Sequence, residues 1–171
     1  MNVRDIILTD VISAFSVALS TNERKEMRRR QMYGLTYALS GEIVYRQDKR
    51  TWISDSRHLL LLPKGQTYSL QCTEGGLFPV VNFDIASEQA CPHILVLPIT
   101  TDSGLSVLFQ RLEAQAKSSG AKRLEKLSLL YQVLSQTIRQ PGNNGVCRRI
   151  DIAALINLIL SRQLRPAGNG G

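Results

Sequence analysis

The segment from Tyr33 to Leu70, YGLTYALSGEIVYRQDKRTWISDSRHLLLLPKGQTYSL, carries the clearest indication of the fold class. It holds short apolar segments of strand length, and a turn signal separates each segment from the next. Strands at this regular spacing are typical of antiparallel sheets folded over one another, so the stretch predicts a β-sandwich or a small barrel. The turn signals are residues 41–42, 48–50, 54–56 and 63–65.

Two of these segments are apolar on both faces. From Tyr33 the residues alternate between large apolar and small side chains, and Leu59 to Leu62 are four consecutive leucines. We therefore expect these strands to be covered on both sides. Residues 5–20, 77–85 and 93–97 predict further strands. The basic segment 22–30 predicts a solvated loop because two glutamates interrupt its charge, and a phosphate or nucleic-acid contact is the alternative.

After about residue 100 the apolar period changes from two to about three and a half. A first helix is predicted around Leu105, Leu108 and Leu112, with a side-chain cap from one of residues 101–103. The second helix carries apolar residues at heptad steps, which is typical of a pairing seam. We predict a homodimer through the antiparallel helices of residues 104–140, and packing of this hairpin on its own sheets is the alternative. The predicted interface residues are Leu124, Leu127, Tyr131, Leu134 and Ile138.

The sequence divides into three parts within an α+β chain. Residues 1–100 form the predicted β-barrel, 101–141 the helical pair, and 142–171 a linker, an apolar third helix at about 149–164 and a polar tail. The 171 residues suit one domain with a helical appendage, and 43% of them are hydrophobic. The formal charge of +7 favours acidic partners, although a basic solvated surface explains it equally well.

Catalytic chemistry is hard to assemble from these residues. Only His58 and His93 are present, without the close histidine pair that a metal-binding barrel needs, so we predict no metal, cofactor or catalytic residue and no enzyme. Three separated cysteines do not suggest a disulfide framework and fit a reducing cytoplasm. No apolar run approaches the roughly 18 residues of a membrane helix.

Binding of a small molecule is better supported than catalysis. A barrel interior with aromatic groups and a few polar side chains is a usual ligand site. Arg46 could anchor an anion, and Trp52 could stack on a flat ligand. For any single candidate, a role in core or edge packing is the favoured alternative. The predicted ligand-binding residues are Tyr37, Tyr45, Arg46, Trp52, Tyr68 and Asn82.

Three motifs resemble the amino-terminal domain of AraC-type transcriptional regulators. They are YALSGE at 37–42, LLLLPKGQTY at 59–68 and VNF at 81–83, within a resemblance that covers roughly residues 5–140. The resemblance implies a cupin-like barrel that binds a small effector, helices that dimerise, and a cytoplasmic regulator. It also implies DNA binding through a second domain, of which only residues 148–164 resemble a first helix. Ser56-Arg57 departs from the Gly-Asp that the family commonly has there.

Two other functions remain open at this point. One is a small metal-independent cupin enzyme, an isomerase or a lyase, for which Glu42, Asp48 and Asp84 are the evident carboxylates. The other is an interaction domain whose barrel is filled and senses nothing.

Overall fold

Nine strands precede two helices in the part of the chain that the computed structural model describes, residues 7–86, 93–99, 104–118 and 122–138. This architecture confirms the predicted α+β class. The predicted third helix and the tail lie outside the described residues. The elements are β1 (Leu8–Leu19), β2 (Arg24–Met27), β3 (Tyr33–Thr36), β4 (Glu42–Gln47), β5 (Arg50–Ser54), β6 (His58–Leu62), β7 (Tyr68–Glu74), β8 (Gly76–Ile85), β9 (Leu95–Pro98), α1 (Leu105–Lys117) and α2 (Arg123–Ile138).

The strands form two antiparallel sheets. Sheet A has the order β1-β8-β3-β6-β9, and sheet B has the order β2-β7-β4-β5. β5 contacts β6, so the sheets approach each other at that side. β1 and β2 are then the edge strands on the opposite side. The predicted sandwich is confirmed.

Local chemistry explains the turns of the central stretch. Gly41 has φ 79°, and a Cβ there would lie 2.8 Å from the carbonyl oxygen of Gly75. Asp48, in the β4–β5 turn, also has a positive φ of 54°, which aspartate tolerates better than most residues. Asp55 organises the turn before β6, because its Oδ1 accepts a hydrogen bond from the Arg57 amide at 2.7 Å and lies 2.8 Å from Nδ1 of His58.

Sheet A is covered on both faces, as predicted for β3 and β6. Leu35 and Leu59 face the helices, whereas Leu60 and Leu62 face sheet B. The core between the sheets contains Leu19, Ala38, Ile43, Tyr45, Leu60, Leu62, Tyr68, Cys72, Phe78 and Ile94. Burial of these apolar groups on both sides fixes the register of sheet A, since a slip of one residue would exchange its faces.

The two helices close the second core on the outer face of sheet A. α1 buries Leu105, Leu108, Phe109 and Leu112, and α2 buries Leu129, Leu130 and Val133. α1 begins after Gly104, the N-cap residue, which makes no side-chain cap hydrogen bond, and the candidate caps at 101–103 lie outside the described residues. Neither described helix is long and apolar enough to cross a membrane.

Some of the heptad residues of α2 pack inside the protomer, and another is exposed on its surface. Leu127, Tyr131 and Leu134 are half-buried and pack against the core under the helices. Leu124 is 76% exposed in the described protomer. The predicted dimer seam is therefore used in part by the protomer itself.

Candidate functional site

Arg30 lies buried between the sheets. The backbone bends at Arg29, where φ is 43°, and Arg30 then lies beside the β6–β7 connection. The Arg30 amide donates to the Gln66 carbonyl at 2.9 Å, and its carbonyl accepts from the Gly65 amide at 2.7 Å. These bonds hold the backbone in place, and only 9% of Arg30 is exposed.

The guanidinium of Arg30 is surrounded by neutral partners. Nη1 donates to the Tyr68 hydroxyl at 3.0 Å, and Nη2 donates to Oδ1 of Asn82. Nε has no hydrogen-bond partner among the described residues. Within that same part of the chain, no carboxylate lies within 4.0 Å of the guanidinium. A buried charge without a counter-ion is costly, so this site favours an anion that would supply one.

Gly34 makes room for this arginine. A Cβ built on Gly34 would overlap Nη2 of Arg30 and lie 2.9 Å from Cζ. The guanidinium therefore rests directly against the backbone of β3. The sequence contains a signal for this contact, namely the glycine at position 34 inside a predicted strand. Such a glycine often marks the close approach of another group.

Two tyrosines complete the inner wall. The rings of Tyr45 and Tyr68 lie 5.7 Å apart, and the Tyr45 hydroxyl is near Thr36 and Arg30. Burial raises the pKa of both phenols, and Arg30 opposes that rise. Both hydroxyls are thus protonated at neutral pH and can donate hydrogen bonds to a ligand oxygen.

Two exposed apolar residues lie at the side of the sandwich where β1 and β2 are the edge strands. Directly opposed residues share a face of a sheet, so Met27 (opposite Tyr68) and Phe15 (opposite Val80) lie on the inner faces of β2 and β1. Phe15 is 40% exposed and Met27 37% exposed. We call these two residues the apolar rim. They provide a hydrophobic surface on the same inner side as Arg30.

The structure brings together part of the predicted binding set. Tyr45, Tyr68 and Asn82 surround Arg30, and Trp52 packs against the same inter-sheet core from β5. Tyr37 faces the helices, where its ring lies 5.1 Å from that of Phe109.

Arg46, the predicted anion anchor, points away from the interior. Its Nη1 donates to Oε1 of Gln71 at 3.2 Å on the exposed face of sheet B. There it lines an open groove of about 630 Å³ together with Arg24, Lys25, Glu26, Ser69, Leu70 and Gln71. An anion bound inside the barrel would therefore meet Arg30 and not Arg46.

The predicted solvated loop at 22–30 was wrong in two respects. Residues 24–27 form β2, and Arg30 is buried. Three consecutive arginines at 28–30 look alike in sequence, but only the last follows the bend that turns its side chain inward.

Two of the three carboxylates considered for catalysis are engaged elsewhere, and the third, Asp48, lies in the β4–β5 turn. Glu42 accepts a hydrogen bond from Thr73 at 2.6 Å, and Asp84 pairs with Lys64 at 2.8 Å. Among the residues that the structure describes, no three His, Cys, Asp or Glu side chains are grouped so as to hold a metal ion. The site around Arg30 thus offers charge and hydrogen-bond donors rather than an acid–base pair.

Comparison with known proteins identifies the fold. No family model matches the sequence, and no curated protein does. The structure resembles ToxT from Vibrio cholerae, with a TM-score of 0.50 and 12% identity over 89% of this chain and 64% of that chain. An apo variant of ToxT gives a TM-score of 0.53 with 11% identity over 88% and 64%. ToxT with an unsaturated fatty acid bound gives 0.49 with 12% identity over 94% and 67%.

At 11–12% identity this similarity shows the fold of the chain. The predicted AraC-type, cupin-like fold is confirmed. The chain spans less than two thirds of the length of the first two ToxT chains.

Proposed function

We propose that this chain, which has the fold of an AraC-type amino-terminal domain, is the effector-sensing and dimerisation module of a cytoplasmic transcriptional regulator. DNA recognition would reside in a helix-turn-helix domain that is not among the described residues. The observation that carries the sensing role is Arg30, a cation buried between the sheets with only neutral partners.

The chemistry of the site favours a carboxylate with an apolar body as the effector. A carboxylate would pair with Arg30, reach its unpartnered Nε, and accept from the Tyr68 or Tyr45 hydroxyl. The rest of the ligand would extend toward Phe15 and Met27, whose exposed apolar surface it would cover. Such a ligand supplies the missing counter-charge and buries the rim at the same time.

The inter-sheet core sets a condition on this binding. Tyr45, Tyr68, Phe78 and Leu60 fill much of the space between the sheets. An effector would therefore occupy the side near β1 and β2 and separate these edges slightly as it enters. Ligand entry would then be coupled to a change in the position of β1.

Dimerisation through α2 is supported by its exposed apolar residue. Leu124 is 76% exposed at the start of the helix, next to the half-buried Leu127. A second copy packed along the heptad face would cover both. Burial of a leucine contributes on the order of 2 kcal/mol, so a symmetric pair of such contacts would stabilise the dimer appreciably.

The two other candidate functions make different demands. An isomerase or lyase would need an acid and a base beside the ligand, and the described carboxylates lie apart from Arg30. An interaction domain with a filled barrel would have no use for a buried guanidinium. Replacement of the guanidinium by an apolar group would stabilise the fold of such a domain.

Decanoate, an apolar carboxylate, is a suitable probe of the proposed site. We expect it to raise the melting temperature of the wild-type chain, since a ligand that binds only the folded state stabilises it, by about 2.7 kcal/mol at 100 times its Kd. Arg30→Met should abolish the shift, and decanol, which lacks the charge, should produce none.

Arg46→Met is the matched control, because it removes an exposed arginine from the outer face of sheet B. It should respond to decanoate like the wild type. An equal shift in Arg30→Met, or none in the wild type with decanoate of any concentration up to its solubility, would contradict the proposed carboxylate site.

A further inference from the structure

The outer edge of β1 is held by side chains of α2. Within the described sheets β1 pairs with β8 alone, and side chains of α2 bind backbone groups of its first residues. Nε and Nη2 of Arg123 donate to the Thr9 carbonyl, the former at 2.8 Å. Nζ of Lys126 lies 3.4 Å from the Val11 carbonyl, and the Leu8 amide donates to the Tyr131 hydroxyl at 3.2 Å. We call these three contacts the edge clamp.

The edge clamp coincides with irregularities in β1. The register with β8 shifts between Leu8 and Asp10 and again between Val11 and Ser13. Thr9 and Ile12 are the extra residues at these bulges. A bulge leaves a residue unpaired and bends its strand, so this segment can move with less loss of ladder hydrogen bonds than a regular strand.

The inner side of the same segment touches the Arg30 site. Oγ of Ser13 accepts a hydrogen bond from Nδ2 of Asn82 at 3.0 Å. The other end of that amide, Oδ1, accepts from Nη2 of Arg30. Ser13 borders the second bulge, and Val11 on the other side of it is bound by Lys126. Contacts therefore run without a gap from the buried cation to α2.

We propose that binding of a carboxylate at Arg30 is transmitted to α2 through Asn82, Ser13 and the bulged segment of β1. This inference rests on the proposed effector site and adds its regulation. The carboxylate competes with Asn82 for Nη2 of Arg30. The released amide turns, its bond to Ser13 changes, and the Val11 and Thr9 carbonyls shift against the edge clamp. The edge clamp thus has two arrangements, one before and one after this shift. An effector that binds one of them more tightly than the other changes the position of α2, the proposed dimerisation helix.

The route can be tested in the ligand-free chain by amide exchange of Leu8, whose N–H is part of the edge clamp. Ser13→Ala should accelerate this exchange about five-fold, since loss of one hydrogen bond is worth about 1 kcal/mol. Ser16→Ala is the matched control on the same strand. Its hydroxyl donates to Glu113 of α1 at 2.9 Å, outside the route, and Leu8 exchange should change less than about two-fold.

Equal exchange rates for Leu8 in Ser13→Ala and in the control would overturn the route. The exchange rate of the Leu60 amide, in the inter-sheet core, reports on global destabilisation. If only the edge clamp has changed, Leu60 should exchange at the wild-type rate in both variants.

A second measurement uses decanoate. In the wild type, bound decanoate should alter exchange of Leu8 and of the first turns of α2, and in Ser13→Ala it should bind without that effect. An unchanged response of α2 in Ser13→Ala would overturn the route while leaving the effector site intact. Absence of decanoate binding to the wild type would contradict the proposed function, and the ligand-free exchange rates would still decide the route.

Discussion

The guanidinium of Arg30 occupies the space that any side chain at position 34 would need, because a Cβ on Gly34 would overlap Nη2 and lie 2.9 Å from Cζ. Each residue therefore depends on the other. The arginine can be buried against β3 only because position 34 is glycine, and the glycine leaves no void only because the arginine fills it.

Gly34→Ala tests this dependence. We expect it to lower the free energy of unfolding by about 1–3 kcal/mol, since the methyl group displaces a buried guanidinium from its partners. In an Arg30→Ala background the same substitution should change stability by less than about 0.5 kcal/mol, because the obstacle is gone. Urea denaturation of the four proteins measures both values. Equal losses in the two backgrounds would show that the methyl group meets something other than Arg30.

Tyr37 and Tyr131 form a matched pair for hydroxyl removal. The Tyr37 hydroxyl is buried without a hydrogen-bond partner among the described residues, whereas that of Tyr131 accepts from the Leu8 amide. Tyr37→Phe should raise the free energy of unfolding by about 1 kcal/mol, and Tyr131→Phe should lower it by about 1 kcal/mol. Chemical denaturation gives both signs, and a loss of stability in Tyr37→Phe would reveal a partner for that hydroxyl.

Alkaline pH should destabilise the fold. Burial raises the pKa of Tyr37 to about 12, compared with about 10 in an unfolded chain. The folded state thus holds this proton more tightly than the unfolded state, so the associated stability is complete below about pH 10 and is lost as pH rises toward 12. Tyr45, whose pKa burial raises in the same direction, adds to the loss.

Denaturation midpoints measured between neutral and alkaline pH should therefore fall above the ordinary tyrosine pKa. Tyr37→Phe should make that fall less steep than in the wild type. Identical slopes for the two proteins would mean that the Tyr37 hydroxyl titrates as it does in the unfolded chain.

The dimer proposal is tested at Leu124. Because this side chain is 76% exposed in the protomer, Leu124→Glu should weaken a dimer at least about ten-fold with little loss of protomer stability, the charge being buried only on association. Sedimentation velocity over a concentration series measures the association. Leu134→Glu should weaken it too but should also destabilise the protomer, whose core Leu134 contacts.

Val107→Glu serves as the control, since this residue of α1 is also exposed but lies outside the heptad seam. It should leave association unchanged. A wild-type chain that sediments as a monomer at high micromolar concentration, or an unaltered dimer in Leu124→Glu, would remove the seam from the proposed function.

The turns and strands were accessible to sequence reasoning because their causes are local. Glycine at position 41 and the aspartate at 48 allow positive φ, and Pro63 ends a strand because it has no N–H to donate. The alternation of apolar residues along β3 showed that both faces would be covered. These features depend on neighbours a few residues away.

The candidate site was less accessible because its geometry depends on distant contacts. Alternation could not decide which face of β3 is inside, and Tyr37 proved to face the helices while Gly34 faces sheet B. Arg30 was hidden in a basic run. Its burial depends on Gly34, Tyr68 and Asn82, which no short sequence pattern connects to it.

The edge clamp has one more effect, which concerns solubility. β1 is twelve residues long, and it ends sheet A on one side. The cationic and phenolic side chains of α2 cover backbone groups that would otherwise be free to pair with a strand from another molecule. Any condition that releases α2 would thus also open a template for fibrous self-association, so the helix shields the sheet from aggregation.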